Sequence, residues 1–255
     1  MWLSASLGVG LAARAYLKHR SMLSLRGRVV LITGSSRGLG LAMAHAYARQ
    51  GARLIICARQ PEPLEIARRE LAALGTEVLA VSCDVREQPQ VEQLIAQGIT
   101  HFGRIDVLVN NAGIILVGPS QTMTLQDYQD CMDTMFWGPF YATMAVLPSM
   151  RARKCGSIVN VTSIGGRVSV PHLLPYSCAK FAALGFSEGL HAELAREGIK
   201  VTSVIPGLMR TGSHLNAFVK GQRQQEYILF GLGATLPLTS TRAASAARQI
   251  VQATR

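Results

Sequence analysis

A doubly wound α/β fold, with a parallel sheet between two helical layers in a single domain, is predicted by three observations. Short β-branched runs alternate with stretches of helical period along most of the chain. The first of these runs ends in a glycine-rich loop that opens directly into an apolar helix. The 255 residues, 49% hydrophobic and 16% charged, are enough for one such core and too few for two.

The elements follow in order. Trp2 to Ala13 is uncharged and apolar or small, and Arg14, Lys18, His19, Arg20, Arg26 and Arg28 come after it. Residues 1–25 are expected to be an apolar and basic extension, and residues 26–255 the folded domain. A spanning helix needs about 20 apolar residues, and Arg14 interrupts this run. A signal peptide carries its positive charge ahead of the apolar stretch, the reverse of the order here. A short signal-anchor, an interfacial helix and a plain N-terminal helix remain as readings. The first two would bring residues 1–20 to a membrane surface, with the positive flank holding the domain on its cytoplasmic face.

Val29-Val30-Leu31-Ile32 reads as a buried parallel strand. Thr33-Gly34-Ser35-Ser36-Arg37-Gly38-Leu39-Gly40 follows at once, and then the helix-like Leu41 to Ala48. Strand, glycine turn and helix start form a phosphate cradle: the backbone at Gly34, Ser36, Arg37, Gly38, Leu39 and Gly40 approaches an anion that the helix N-terminus attracts. A second strand, Arg53 to Ala58, ends without the acid that would accept the ribose hydroxyls of NAD. Ala58 stands there and Arg59 follows, so Arg37 and Arg59 supply two guanidiniums suited to a 2′-phosphate. NADP, as NADPH, is therefore expected over NAD. Leu64, Ala67, Leu71 and Leu74 repeat at helical spacing. Glu77 to Cys83 is a third strand with Asp84-Val85 at its carboxyl end. Ile105 to Val109 is a fourth, running into Asn110-Asn111-Ala112-Gly113.

The formal charge of +11 suits an anionic membrane surface or a phosphate-rich cofactor. Nucleic acid is excluded as a partner, because the arginines are scattered and form no basic run interleaved with aromatics. The five cysteines, Cys57, Cys83, Cys131, Cys155 and Cys178, are odd in number and lack CxxC spacing. They read as reduced, small core hydrophobes of a cytoplasmic protein, and with no paired histidines no metal is expected.

Tyr176 and Lys180 stand four apart, on one face if the segment is helical. A phenol has a reference pKa of ~10, and a nearby ammonium favours its ionised form. Tyr176 can then exchange a proton with a carbonyl or alcohol oxygen while the Ser163 hydroxyl hydrogen-bonds the same oxygen. That chemistry needs a hydride partner.

Thr33-Gly34-x3-Gly38-x-Gly40, Asp84-Val85, Asn110-Asn111-Ala112-Gly113, Ser163, Tyr176-x3-Lys180 and Pro206-Gly207 occur together between residues 29 and about 211. In this order and spacing the chain resembles a short-chain dehydrogenase/reductase. The resemblance implies a Rossmann-like three-layer fold, a bound NAD(P) and hydride transfer. It gives Tyr176 the proton, Ser163 the substrate oxygen, and Lys180 the nicotinamide ribose and the tuning of Tyr176. It also implies that Asp84 and Val85 contact the adenine, that Asn111 serves the adenine-side ribose region, and that Pro206, Gly207 and Thr211 line the nicotinamide. In that family the helices around Met135 and Tyr176 commonly pair between subunits, so a homo-oligomer, dimer or tetramer, is implied.

Two departures stand out. Met135 occupies the place where the family usually carries a catalytic Asn, whose amide helps hold a helix distortion and whose carbonyl receives a relay water. The C-terminal helix expected at Ala243 to Val251 is followed only by residues to Arg255, whereas family members continue into a seventh strand. Either the chain is truncated or the sheet has six strands.

Val168, Val170, Leu173 and Leu174 before the tyrosine, with Leu215, Phe218, Tyr227, Ile228, Leu229 and Phe230 after the Pro-Gly turn, suggest an apolar cleft. The expected activity is NADP-dependent interconversion of a hydrophobic ketone and a secondary alcohol, steroid-, retinoid- or fatty-acyl-like. The alternatives are a dinucleotide-binding sensor or scaffold with little turnover, motivated by Met135, and a membrane-tethered structural protein.

Overall fold

The computed structural model describes residues 24–212, 216–221 and 240–254. The chain begins its sheet with β1 (Val29–Thr33), α1 (Gly38–Ala48), β2 (Arg53–Ala58), α2 (Pro61–Ala72), β3 (Val78–Ser82), α3 (Gln88–Phe102) and β4 (Val107–Asn110). A short strand β5 (Leu116–Val117) precedes α4 (Leu125–Met132), which passes through a π turn at Asp133–Trp137 into α5 (Gly138–Arg153). Then come β6 (Gly156–Val161), α6 (Leu174–Leu194), β7 (Ile199–Val204), the two-residue strands β8 (Met209–Arg210), β9 (Phe218–Val219) and β10 (Thr241–Arg242), and α7 (Ala243–Thr254).

Six strands form one sheet in the order β3, β2, β1, β4, β6, β7, every neighbouring pair parallel. Order reverses between β1 and β4, and at such a point the carboxyl ends of the strands open into a crevice. Alternation along β1 shows why these runs are strands buried on both faces. Val30 and Ile32 pack with Met43 and Tyr47 of α1, Leu64 and Leu71 of α2 and Ile250 and Val251 of α7. Val29 and Leu31 pack with Leu94 of α3, Val146 and Met150 of α5 and Leu190 of α6. All four β1 side chains are fully buried, and each such aliphatic contributes ~1.5–3 kcal/mol on burial.

The entry to β1 is fixed electrostatically. Asp106, 5% exposed, accepts from the Val29 amide at 2.9 Å, Arg28 Nη1 at 3.0 Å and Arg104 Nε at 3.1 Å. Leu25 is itself part of the core, at 2% exposure.

Several expectations shift at element ends. Leu74 lies beyond α2 and is 48% exposed, because the helix stops at Ala72 and turns at Gly75, whose φ is +78°. Strand β4 starts at Val107 rather than Ile105, since Asp106 is spent on the Val29 amide. Among the described residues the main sheet has six strands, with β3 and β7 at its edges. The Val201 carbonyl of β7 is met by His191 Nδ1 at 3.0 Å. No helix among the described residues is long and apolar enough to cross a membrane. The expected membrane contact of residues 1–20 lies outside the described residues, as do Leu215 and Tyr227 to Phe230 of the expected cleft. Of the cysteines, Cys57, Cys83 and Cys131 are buried, but Cys178 is exposed on α6.

Candidate active site

The glycine loop between β1 and α1 is held from the far side of the crevice. Thr33 Oγ1 accepts from the amides of Asn111 and Ala112 at 2.9 and 3.0 Å, and Asn111 Nδ2 donates to the carbonyls of Thr33 and Gly34 at 2.9 and 3.1 Å. At Gly40 a Cβ would stand 2.2 Å from the Gly34 carbonyl oxygen and 2.7 Å from Asn111 Nδ2. Gly34, at φ +63°, lies against Ala112, and Thr211 closes on Gly38. The first turn of α1 carries no acidic residue, so nothing there opposes an anion at its N-terminus.

At the outer end of this crevice Asp84 is clasped by Arg86, whose Nη2 donates to Oδ2 at 2.7 Å and whose Nε reaches both oxygens at 3.1 Å. Burial raises the Asp84 pKa and Arg86 overcomes it, leaving the carboxyl below its usual range. Arg86 also reaches Asp130 of α4 at 3.4 Å. It is the residue that reading the sequence missed, and only its place two positions after Asp84 in a strand-end turn could have signalled it. Arg37 and Arg59 are both exposed.

Ser163, Tyr176 and Lys180 converge at the other end. Ser163 stands beside Tyr176 and favours its ionised form, and the Gly165 amide donates to Ser163 Oγ at 3.1 Å, fixing the serine at the start of a short 3-10 turn. Gly165 leaves room for the ring, since a Cβ there would lie 3.2 Å from Tyr176 Cε1. Lys180 Nζ lies 5.8 Å from the centre of the Tyr176 ring and donates to the Val161 carbonyl at 2.9 Å. Burial pushes the lysine down to about 8. It also pushes the tyrosine up, and the Ser163 hydrogen bond only partly offsets this. The lowering of Tyr176 by Lys180 that the spacing suggests does not appear, because the ammonium sits under the ring and not at the hydroxyl. Ile164 donates to the Pro206 carbonyl at 2.9 Å, so the Pro-Gly turn is tied to the serine segment.

A cradle for a diphosphate and a hydroxyl pair over a lysine thus share one crevice, and the short chain dehydrogenase family profile matches residues 28–220. This chain belongs to that family. A putative ketoacyl reductase of Streptomyces coelicolor is 40% identical over 185 residues, 72% of this chain and 71% of that protein. Across the first relatives the match spans about two thirds of their length. An actinorhodin polyketide ketoreductase solved with NADPH superposes with a TM-score of 0.78 at 33% identity, covering 88% of each chain. A Burkholderia phymatum family member solved with NAD shares the fold, with a TM-score of 0.83 at 24% identity, over 89% of this chain and 85% of its own.

As a short-chain dehydrogenase the chain is an oxidoreductase that binds a nicotinamide dinucleotide, and the crevice fits one. Gly34, Gly38 and Gly40 leave the loop backbone uncovered at the N-terminus of α1, and Val85, 6% exposed, abuts Gly138. Asn111 spends its Nδ2 on the loop carbonyls and so holds the glycine loop against β4. Met135 lies within the π turn, 1% exposed, in a cluster with Leu116, Cys131 and Ala179 against which Tyr176 packs.

Proposed function

We propose that the protein is an NADPH-dependent reductase of apolar ketones. The observation that carries the reading is the Ser163 and Tyr176 hydroxyl pair above buried Lys180 at the end of a crevice with a glycine cradle. The dinucleotide, when bound, supplies a hydride to the carbonyl carbon. Ser163 and Tyr176 donate to the carbonyl oxygen, and Tyr176 releases its proton there as negative charge develops. Lys180, held beneath the ring by its bond to the Val161 carbonyl, is placed to hold the nicotinamide ribose. The retained π turn around Met135 supports turnover over a binding-only role.

Arg37 and Arg59 support NADPH: both are exposed at the carboxyl ends of β1 and β2, and among the described residues neither has an ion pair within bonding distance, although Arg59 stands near enough to Asp84 to lower its pKa. Ile164 (48% exposed), Val168 (63%), Leu174 (38%) and Phe218 (58%) support an apolar carbonyl compound, fatty-acyl-, steroid- or retinoid-like. The putative ketoacyl reductase among the relatives agrees with the fatty-acyl member of that class. Trp137, Met144 and Phe181, 38–45% exposed, continue the aromatic cluster of Phe136, Phe140, Tyr141 and Phe186, and support self-association.

The test is calorimetry of NADPH and NADH on the wild type and on Arg59→Ala. The wild type should prefer NADPH by about tenfold or more and the variant should lose most of that preference. Turnover is then followed as NADPH oxidation with 1-decalone, and Tyr176→Phe should lose about 10²–10⁴ in kcat while binding NADPH normally. Folded protein that binds neither nucleotide would overturn the reading.

A further inference from the structure

Strands β5 and β9 form a parallel ribbon in the register Leu116 to Phe218 and Val117 to Val219. It rests on two backbone bonds, Phe218 N–H to the Ile115 carbonyl and Lys220 N–H to the Val117 carbonyl, both 2.9 Å. Their net worth is smaller than the entropy of ordering residues 216–221, and so short a ribbon does not hold itself. Lys220 Nζ reaches across to Asp127 Oδ2. That carboxylate is already in place: it caps α4 by accepting from the Thr124 amide at 2.7 Å and the Thr124 hydroxyl at 2.8 Å, and its side chain is 10% exposed. The backbones touch at the same point, since a Cβ on Gly118 would lie 3.0 Å from the Lys220 carbonyl oxygen.

The ribbon borders the site. Registered residues on neighbouring strands point to the same face. Leu116 points into the cluster that packs against Tyr176, so Phe218, its partner and itself 58% exposed, lies on the tyrosine side. The Gly118 amide also donates to the His172 carbonyl at 2.8 Å, joining the ribbon to the segment ahead of Tyr176.

We propose that the Lys220–Asp127 ion pair is a specificity device. It fastens β9 to the core so that Phe218 forms a fixed wall beside Tyr176, and thereby sets the affinity for bulky apolar ketones. Lys220 and Asp127 are positioning residues that act through Phe218. The inference rests on the proposed ketone reduction.

The test compares wild type, Lys220→Met and Lys220→Arg. Hydrogen exchange is followed at the amides of Phe218 and Lys220, and KM and kcat are measured for 1-decalone and for methyl acetoacetate with NADPH. In Lys220→Met, exchange in residues 216–221 should accelerate about tenfold and KM for 1-decalone should rise about tenfold. kcat and the KM for methyl acetoacetate should stay within about twofold, because a ketone of that size does not span to the wall. Lys220→Arg should restore both readouts. Unchanged exchange, an equal KM rise for both ketones, or a failed rescue by arginine would overturn the proposal. If the wild type reduces neither ketone, the proposed function falls and takes the specificity role with it, while the exchange data report on the ion pair separately.

Discussion

Lys180 weakens the folded protein at neutral pH, and Lys180→Met should stabilise it while removing activity. The ammonium is held in the interior, and burial lowers its pKa from 10.5 to about 8. Between those two values the unfolded chain holds a proton that the folded chain has released, so stability rises with pH across that window. Below about 8 both states are protonated and the whole penalty is present. The gap of about 2.5 pH units corresponds to ~3.4 kcal/mol at ~1.36 kcal/mol per unit. Methionine has a similar length and no charge, but it leaves the Val161 carbonyl without the donor that Lys180 supplies at 2.9 Å, a loss of ~1 kcal/mol. The net gain is ~2 kcal/mol, or about 5 °C in Tm for a chain of this size. Thermal unfolding of both proteins without nucleotide, between pH 6.5 and pH 10.5 (roughly the range that brackets the two pKa values), measures it. The variant should melt higher at pH 7 and the difference should close towards pH 10.5. A less stable variant at pH 7, or a difference that does not change with pH, would refute the reasoning. In the proposed reduction the site keeps this costly charge to hold the cofactor.

Three further outcomes are expected. Gly40→Ala places a Cβ 2.2 Å from the Gly34 carbonyl oxygen, so calorimetry should find NADPH affinity reduced by about 100-fold or more while circular dichroism shows the fold retained. Asn111→Ala removes the two bonds to the loop carbonyls at 2.9 and 3.1 Å; NADPH binding should weaken about tenfold, and unchanged binding would show that the loop holds itself. Asp106→Ala strands the Val29 amide and two arginines at the entry to β1, and urea unfolding should show a loss of ~2–4 kcal/mol.

Strands β1 to β4 were legible in the sequence as aliphatic runs, most clearly β1, β2 and β4, which are buried on both faces, whereas β6 and β7 were not read from it. The glycine loop was legible because close backbone approach admits no other residue at Gly40. What was hidden is long-range and polar. Nothing local says that Asn111 spends its amide on Thr33 and Gly34, since that depends on which strand ends the topology brings together; the clasp of Arg86 on Asp84, two positions away, is local but follows from a turn that no periodicity marks. The small ribbon of β5 and β9 was hidden for a related reason: two residues carry no periodicity, and the contact that fixes it joins positions 93 apart in sequence. The electrostatics of Tyr176 also needed coordinates. Spacing places Lys180 on its face of the helix, but burial, which dominates both groups, is a property of the packed site.

Met135 shows how a departure from the family pattern can leave the architecture standing. Helices α4 and α5 would run on as one, with the Met135 carbonyl accepting from the residue four positions later. That residue is Pro139, which has no N–H and whose ring would clash with the carbonyl. The preceding Gly138 is pressed against β3's end, a Cβ there lying 3.0 Å from the Val85 carbonyl oxygen, and its amide bonds five residues back to Asp133. The distortion therefore has a cause in Gly138 and Pro139 that does not involve the side chain at 135. An amide there is dispensable for the backbone, and the position is free to be apolar. Methionine uses that freedom to fill the cluster of Leu116, Cys131 and Ala179 against which Tyr176 packs, so the interior beneath the tyrosine is closed by apolar contacts where an amide would need polar partners.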